Sequence, residues 1–255
     1  MNLKRHPWLL LAALLLAACG VGTDSAYQGW VEGELVFVSP YEAGRIETLS
    51  VREGDSVSAG APLFTLDDEL QQADLKQNEA SLTNARQAFQ RAQLLVKSNA
   101  GTQKALEDAE AALRTAEARL NSSQTRLARR RVASPVAGTT QQVYFRQGEI
   151  VPAGRPIVAL LPPENVKLRF FVPEAVLPKI ALNDPVGVGC DGCPPGLTAR
   201  ISFIARTAEF TPPVIYSLEE RSKLVFLVEA RPERPEALRV GQPVSVSLPS
   251  AAEKR

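Results

Sequence analysis

The apolar positions of this chain change period along its length, and the changes divide it. Between residues 67 and 131, Leu75, Leu82, Phe89 and Val96 recur every seven residues, and Asn78, Ala85 and Ala92 follow the first three at a distance of three. Leu106, Leu113, Leu120 and Leu127 repeat the pattern, followed by Ala109, Ala116 and Ser123. A sustained heptad with one large and one mainly small core position predicts helices packed closely along a seam. The segment holds no proline and one glycine, Gly101. The repeat lapses between Lys97 and Gln103, where Ser98-Asn99-Ala100-Gly101 supplies a turn, so two antiparallel arms are predicted. Each would extend roughly 42–45 Å at about 1.5 Å per residue. Asp67, Asp68 and Glu69 open the first arm and Arg129, Arg130 and Arg131 close the second. These charges either complement the helix dipoles or simply solvate the ends.

Short strand-like runs flank this insert, and they repeat. Ser39-Pro40 opens one segment and Ser134-Pro135 the other. Glycines follow at Gly44, Gly54 and Gly60 in the first and at Gly138, Gly148 and Gly154 in the second, with Leu66 and Leu160 closing them in the same register. Each glycine is expected where a strand turns, because glycine takes φ > 0 without steric penalty. Ile46, Leu49, Val51, Val57 and Leu63 supply the apolar strand positions. Two halves of this kind, neither able to bury its face alone, predict a flattened β-sandwich. Residues 20–66 are assigned to an N-terminal strand and the first half, 67–131 to the helical hairpin, and 132–163 to the second half. From residue 164 to 249 the pattern is again β. Strands are expected at 166–172, 186–189, 197–205, 223–230 and 244–248, with prolines at 194, 195, 212, 213, 232 and 235 marking loops. A small β-barrel accommodates them, with a tail at 250–255. The fold class is α+β.

The first nineteen residues set the compartment. Lys4 and Arg5 precede an apolar run from Trp8 to Ala18, too short for a permanent membrane span but suited to an export signal. The run ends in Leu16-Ala17-Ala18-Cys19, which resembles the lipobox of bacterial lipoproteins. That resemblance implies a lipid on the Cys19 thiol and cleavage before it; a small-residue cleavage site with a coincidental cysteine is the alternative. Acyl chains, at about 0.8 kcal/mol per buried CH₂, would hold the protein on a membrane. Removal of the signal also removes His6, the only histidine. The remaining chain then has no Ser-His-Asp, Cys-His or histidine metal site. A net charge of +1 and 6% aromatics, with no basic stripe, argue against nucleic-acid binding.

The repeated halves resemble the biotinyl/lipoyl domain. In carrier enzymes of that family a modified lysine sits on a tight turn between the halves. Here the helical insert replaces that turn, and Lys76 and Lys97 lie within the insert, so neither cofactor is expected. A split lipoyl domain, a coiled-coil hairpin, a following barrel and a lipobox together resemble the membrane fusion family of periplasmic adaptors, also called HlyD-like. The resemblance implies a non-enzymatic adaptor that links an inner-membrane exporter to a TolC-like outer-membrane channel. It also implies a homo-oligomeric ring, a hexamer by family analogy. Glu209-Phe210-Thr211-Pro212-Pro213, followed by Glu219-Glu220-Arg221-Ser222-Lys223-Leu224-Val225-Phe226, resembles the subgroup paired with ABC transporters. Adaptors of RND or MFS pumps are the alternative, and a biotin or lipoate carrier is the competing enzyme-class reading. Localisation is expected to be periplasmic, with the lipid in the inner membrane favoured by function and the outer membrane left open. Few residues follow Leu248, so the membrane-proximal domain of longer adaptors is expected to be reduced or missing.

Two smaller features complete the sequence. Family members that dock onto TolC-like channels carry Arg, then Leu four residues on, then Ser eleven residues after the Arg. Arg91, Leu95 and Thr102 hold these positions here, with Thr in place of Ser. Thr102 is also placed to cap the second helix, Leu95 to pack beside Val96, and Arg91 to solvate a face. Cys190 and Cys193 flank Asp191-Gly192 between two expected strands. A local disulfide suits an oxidising compartment; a redox site would need a βαβ context and a metal site two further ligands. No metal is expected.

Overall fold

A computed structural model describes residues 26–210 and 224–248. Cys19 and most of the segment used to assign an ABC partner lie outside these residues. The chain forms two units, one spanning Gly33–Asn165 and the other joining the residues up to Glu32 with those from Val166 on. The strand that begins the described chain, β1 (Ala26–Gly33), pairs within the second.

The first unit is the sandwich with its insert. In order it contains β2 (Val36–Val38), β3 (Gly44–Leu49), β4 (Ser56–Val57), β5 (Pro62–Leu66), α1 (Glu69–Lys97), α2 (Gln103–Ala128), β6 (Arg131–Ala133), β7 (Gly138–Val143), β8 (Ile150–Val151) and β9 (Val158–Leu161). One sheet runs β2-β9-β7-β4 and the other β6-β5-β3-β8. Each sheet therefore takes strands from both halves of the repeat, and neither half forms a sheet of its own. A constant shift carries Gly54 to Gly148 and Gly60 to Gly154, and the hydrogen bonds follow it. Gly54 N–H donates to Thr140 O at 2.8 Å, and Gly148 N–H donates to Ile46 O at 2.8 Å. Gly60 N–H donates to Ser134 O at 2.7 Å, and Gly154 N–H to Pro40 O at 2.9 Å. Even the irregularity between Ile46 and Thr48 has its counterpart between Thr140 and Gln142. Ile46, Leu63, Phe64, Leu66, Val151 and Leu160 are removed from water between the sheets, which is the main favourable term for such a small layer.

Four of the six repeat glycines are turns, with φ of +92° and +83° at Gly54 and Gly60 and +90° and +75° at Gly148 and Gly154. The first pair corrects the expectation. Gly44 and Gly138 begin β3 and β7 and are not left-handed. They are needed for close approach: a Cβ on Gly138 would lie 2.6 Å from Leu161 O, and one on Gly44 2.6 Å from the Arg130 guanidinium. Spacing alone does not separate these two uses of glycine.

The hairpin leaves and re-enters the sandwich through neighbouring strands. Thr65 of β5 lies opposite Arg131 of β6, and Leu66 N–H donates to Arg130 O at 2.8 Å. An insert of any length at this point preserves the sheet. Along the hairpin, Leu75, Leu82, Phe89 and Val96 on α1 and Leu106, Leu113, Leu120 and Leu127 on α2 are partly shielded, while most residues around them are exposed. Ala116 and Ser123, at the small seam position, are the residues of α2 that become buried.

The second unit contains β10 (Val166–Pro173), β11 (Pro185–Gly189), β12 (Leu197–Ile204), β13 (Glu209–Phe210), β14 (Leu224–Pro232) and β15 (Pro243–Ser247). The order β10-β1-β15-β11-β12-β14 closes where β14 pairs with β10, and β13 adds to β14. Closure removes the free edges of the sheet. Val166, Leu168, Phe170 and Val172 of β10 are buried, while Lys167, Arg169 and Phe171 alternate on the outer side. Sequence order groups the N-terminal strand with the first sandwich half. In the structure β1 lies between β10 and β15, with Tyr27 opposite Val246 and Gly29 opposite Val244. Gly29 permits this, since a Cβ there would lie 2.3 Å from Arg169 O. Among the described residues no helix is long and apolar enough to cross a membrane.

Candidate functional site

The closed end of the hairpin is built on a defined backbone. α1 ends at Lys97, Ser98 caps it, and Asn99 takes the left-handed conformation at φ +57°. Asn99 N–H donates to Val96 O at 3.1 Å and Ala100 N–H to Leu95 O at 2.8 Å. This pair of bonds is a Schellman ending, with Asn where Gly is commoner. Ser98 Oγ donates to the same Leu95 carbonyl at 3.1 Å. Gly101 lies against Leu95, where a Cβ would come within 2.9 Å of the Leu95 Cβ. Thr102 then opens α2 in an extended conformation, and its Oγ1 accepts from Ala105 N–H at 3.2 Å. That satisfies one of the helix's four orphan donors.

The turn therefore fixes the backbone of Leu95 while leaving the residue 49% exposed. Arg91 lies one turn back on the same face of α1, exposed. Thr102 sits across the turn. The structure places all three at one end of the hairpin, and it adds Leu94, which is 65% exposed. Leu94 was missed in the sequence. The available signal was Leu94-Leu95-Val96, three large apolar residues where the seam needs one. Two apolar side chains held in water on a rigid turn contribute little to stability and are suited to a contact surface.

The base of the hairpin carries a second set of interactions. Arg130 is 8% exposed. Its Nη1 donates to Ala43 O at 2.9 Å and its Nη2 to Glu42 Oε2 at 3.2 Å. With the Gln71 amide turned to satisfy both groups, its oxygen accepts from Arg130 Nε at 3.1 Å and from Nη2. Arg130 thus ties the end of α2 to the start of α1 and to the loop before β3. In the sequence Arg129–Arg131 form one charge cluster at a helix end, and nothing in the local pattern singles out the middle residue. Alongside, Arg45 Nη2 donates to Asp67 Oδ2 at 2.9 Å, and Glu69 N–H donates to Asp67 Oδ1 at 3.3 Å. The Arg45 bond first, then the Glu69 N–H, holds the Asp67 carboxyl below its usual range.

Cys190 and Cys193 are joined as a disulfide in the turn between β11 and β12, with Cα atoms 5.3 Å apart and Gly192 at φ +76°. Gln242 Nε2 approaches the Cys193 sulfur at 3.5 Å. Lys76 and Lys97 lie on α1; the two sandwich halves are joined through the hairpin and present no lysine-bearing turn between them. Among the described residues, no group of three or more His, Cys, Asp or Glu side chains could hold a metal ion.

Comparison with known proteins gives the following. Residues 34–161 match the family described as RND MFP, barrel-sandwich hybrid domain. An uncharacterised protein of Haemophilus influenzae is 28% identical over 154 residues, covering 60% of this chain and 40% of that protein. The toluene efflux pump periplasmic linker protein TtgG of Pseudomonas putida is 30% identical over 118 residues, covering 46% of this chain and 30% of TtgG. The chain thus spans well under half the length of these relatives. Among solved structures, a MacA–MexA chimera carrying the Pseudomonas aeruginosa MexA α-hairpin domain superposes with a TM-score of 0.70 at 20% identity, over 88% of this chain and 79% of the chimera. At that identity the likeness concerns the fold.

Proposed function

Because the chain belongs to the membrane fusion protein family through its barrel-sandwich hybrid domain, we infer that it is a periplasmic adaptor. It would link an inner-membrane transporter to a TolC-like outer-membrane channel. The observation that carries this reading is the hairpin: rigid at its tip, tied at its base by a buried arginine, and presenting Arg91, Leu94, Leu95 and Thr102 about 40 Å from the sandwich. Arginine and large apolar side chains commonly anchor interfaces once desolvated. No step of this role requires chemistry on the cargo. The name of TtgG as a periplasmic linker of an efflux pump supports the assignment.

Two partner classes are open to the transporter end. The Glu209–Pro213 and Glu219–Phe226 segments favour an ABC exporter, while the RND description of the matched family favours an RND pump. A homo-oligomeric ring, a hexamer in the family pattern, would enclose the path, and a lipid on Cys19 would hold the chain to a membrane. Palmitate labelling that persists in Cys19→Ser would remove that anchor from the account. The docking role is tested by export or drug resistance in Arg91→Ala and Leu95→Ala strains, with protein abundance measured beside it. Loss of export at normal abundance is expected. Full export from both would falsify the docking role, and loss that tracks abundance would reduce the tip to a structural element.

A further inference from the structure

On the outer wall of the barrel, β12 and β14 set two arginines face to face. Their register places Arg200 directly opposite Arg231, and like charges in that position repel. The neighbours Ala199, Ile201 and Ala230 are fully buried on the inner side, so both guanidinium groups are confined to the outer side. Only one of them is answered. Glu233 Oε1 accepts from Arg200 Nε at 3.1 Å, and its Oε2 accepts from the Thr198 hydroxyl at 2.6 Å. Thr198 first, then Arg200, holds the Glu233 carboxyl below its usual range, so it is ionised at neutral pH. Among the described residues Arg231 has neither an ion pair nor a side-chain hydrogen bond.

The wall is concave at this point. A cavity of about 430 Å³ opens there, lined by Asn183, Arg200, Ser202, Arg231, Pro232 and Glu233. Asn183 is left-handed at φ +69°, and its N–H donates to Ile201 O at 2.8 Å, which pins the turn at the rim. The Ser202 hydroxyl donates to Glu229 O at 3.3 Å. The cavity has room for more than a bare inorganic ion.

We propose that this cavity binds one singly charged phosphodiester, clasped between Arg231 and Arg200. Guanidinium forks match phosphate oxygens in geometry and charge. Two arginines and one ionised glutamate leave a single positive charge, which a monoanion neutralises; a dianion would face Glu233. The phosphodiester is either free in solution or the head group of a lipid such as phosphatidylglycerol; the two sources share this chemistry. The inference stands apart from the adaptor assignment, since it uses only the barrel.

The test follows the arginine Nε–H resonances of the full chain by NMR, with diethyl phosphate as the soluble probe. Vesicles of phosphatidylcholine, with and without phosphatidylglycerol, are the lipid probe. Arg231→Gln should weaken whichever probe binds by about tenfold, while Arg206→Gln, an equal loss of charge at an exposed barrel position, should leave it unchanged. Glu233→Gln should raise the affinity for inorganic phosphate at pH values where it is a dianion. Relief of the Arg200–Arg231 repulsion should leave the folded stability of Arg231→Gln equal or higher, so a binding loss does not reflect unfolding. Response of diethyl phosphate alone supports a soluble source, and response of phosphatidylglycerol vesicles alone supports a lipid. Equal effects of Arg206→Gln and Arg231→Gln, or no response of either probe to Arg231→Gln, would overturn the site.

Discussion

Replacing Arg130 by methionine keeps the aliphatic stem and removes the buried guanidinium, which separates packing from charge. Ala43 O and the Gln71 amide oxygen lose their donors; an acceptor left wholly unsatisfied costs about 1–3 kcal/mol, but Ala43 is exposed and Gln71 half-buried, so water replaces part of each bond. Glu42 is about one-third exposed and is re-solvated by water, so its share is held under about 1 kcal/mol. Relief of the arginine's own desolvation offsets part of the loss. The net destabilisation expected is about 1–2 kcal/mol. Gly44→Ala attacks the same contact from the other side, since its Cβ would lie 2.6 Å from Arg130 Nη1. It should cost about 1–3 kcal/mol by overpacking. In the Arg130→Met background the added methyl meets a flexible neutral chain, so the two losses should overlap by at least about 1 kcal/mol. Urea unfolding followed by far-UV circular dichroism, on both single variants and the double, completes the cycle. Additive losses, within about 0.5 kcal/mol, would refute the clamp, as would a cost under about 1 kcal/mol for Arg130→Met.

Other expectations can be measured on the same protein. Leu113→Asp places a charge in the seam near buried Ala116; a loss of about 2–3 kcal/mol and of helical signal is expected, with β signal retained, and unchanged helicity would misplace the seam. The chain exported to the periplasm should show no reactive thiol at Cys190 or Cys193 when denatured without reductant, and two reactive thiols per chain would contradict the disulfide. Asp67 contributes stability that is present above its ordinary value of 3.8 and is lost as pH falls through its lowered folded value. Asp67→Asn should therefore flatten the acid limb of stability below about pH 4, and an unchanged acid limb would assign that limb to other carboxylates.

What the sequence made legible was whatever is written as a period. The heptads of the insert and the repeated glycines of the sandwich are local in sequence, and each positions its own strand or helix. The barrel strands were legible as segments, but the place of β1 was not. A strand with Val31 facing inward satisfies either a sandwich or a barrel, and pairing with β15 joins residues at opposite ends of the chain, Ala26 with Ser247. The tip trio was legible only through its resemblance to docking adaptors; Leu94 fell outside that pattern because a resemblance carries only the positions it names.

Arg130 shows the limit most clearly. Its partners Ala43 and Glu42 are 87 and 88 residues away in sequence, and they reach it because β5 and β6 are neighbours on which the hairpin begins and ends. The same adjacency that makes the insertion tolerable leaves the hairpin attached through two short chain crossings. A long lever on two crossings has its direction set by whatever stiffens them, and here that is a buried cation with acceptors on both sides of the joint. Gly44 belongs to this device: its missing side chain is the space the guanidinium fills. A glycine that looked like punctuation between strands is thus tied to the orientation of a hairpin whose tip lies about 40 Å away.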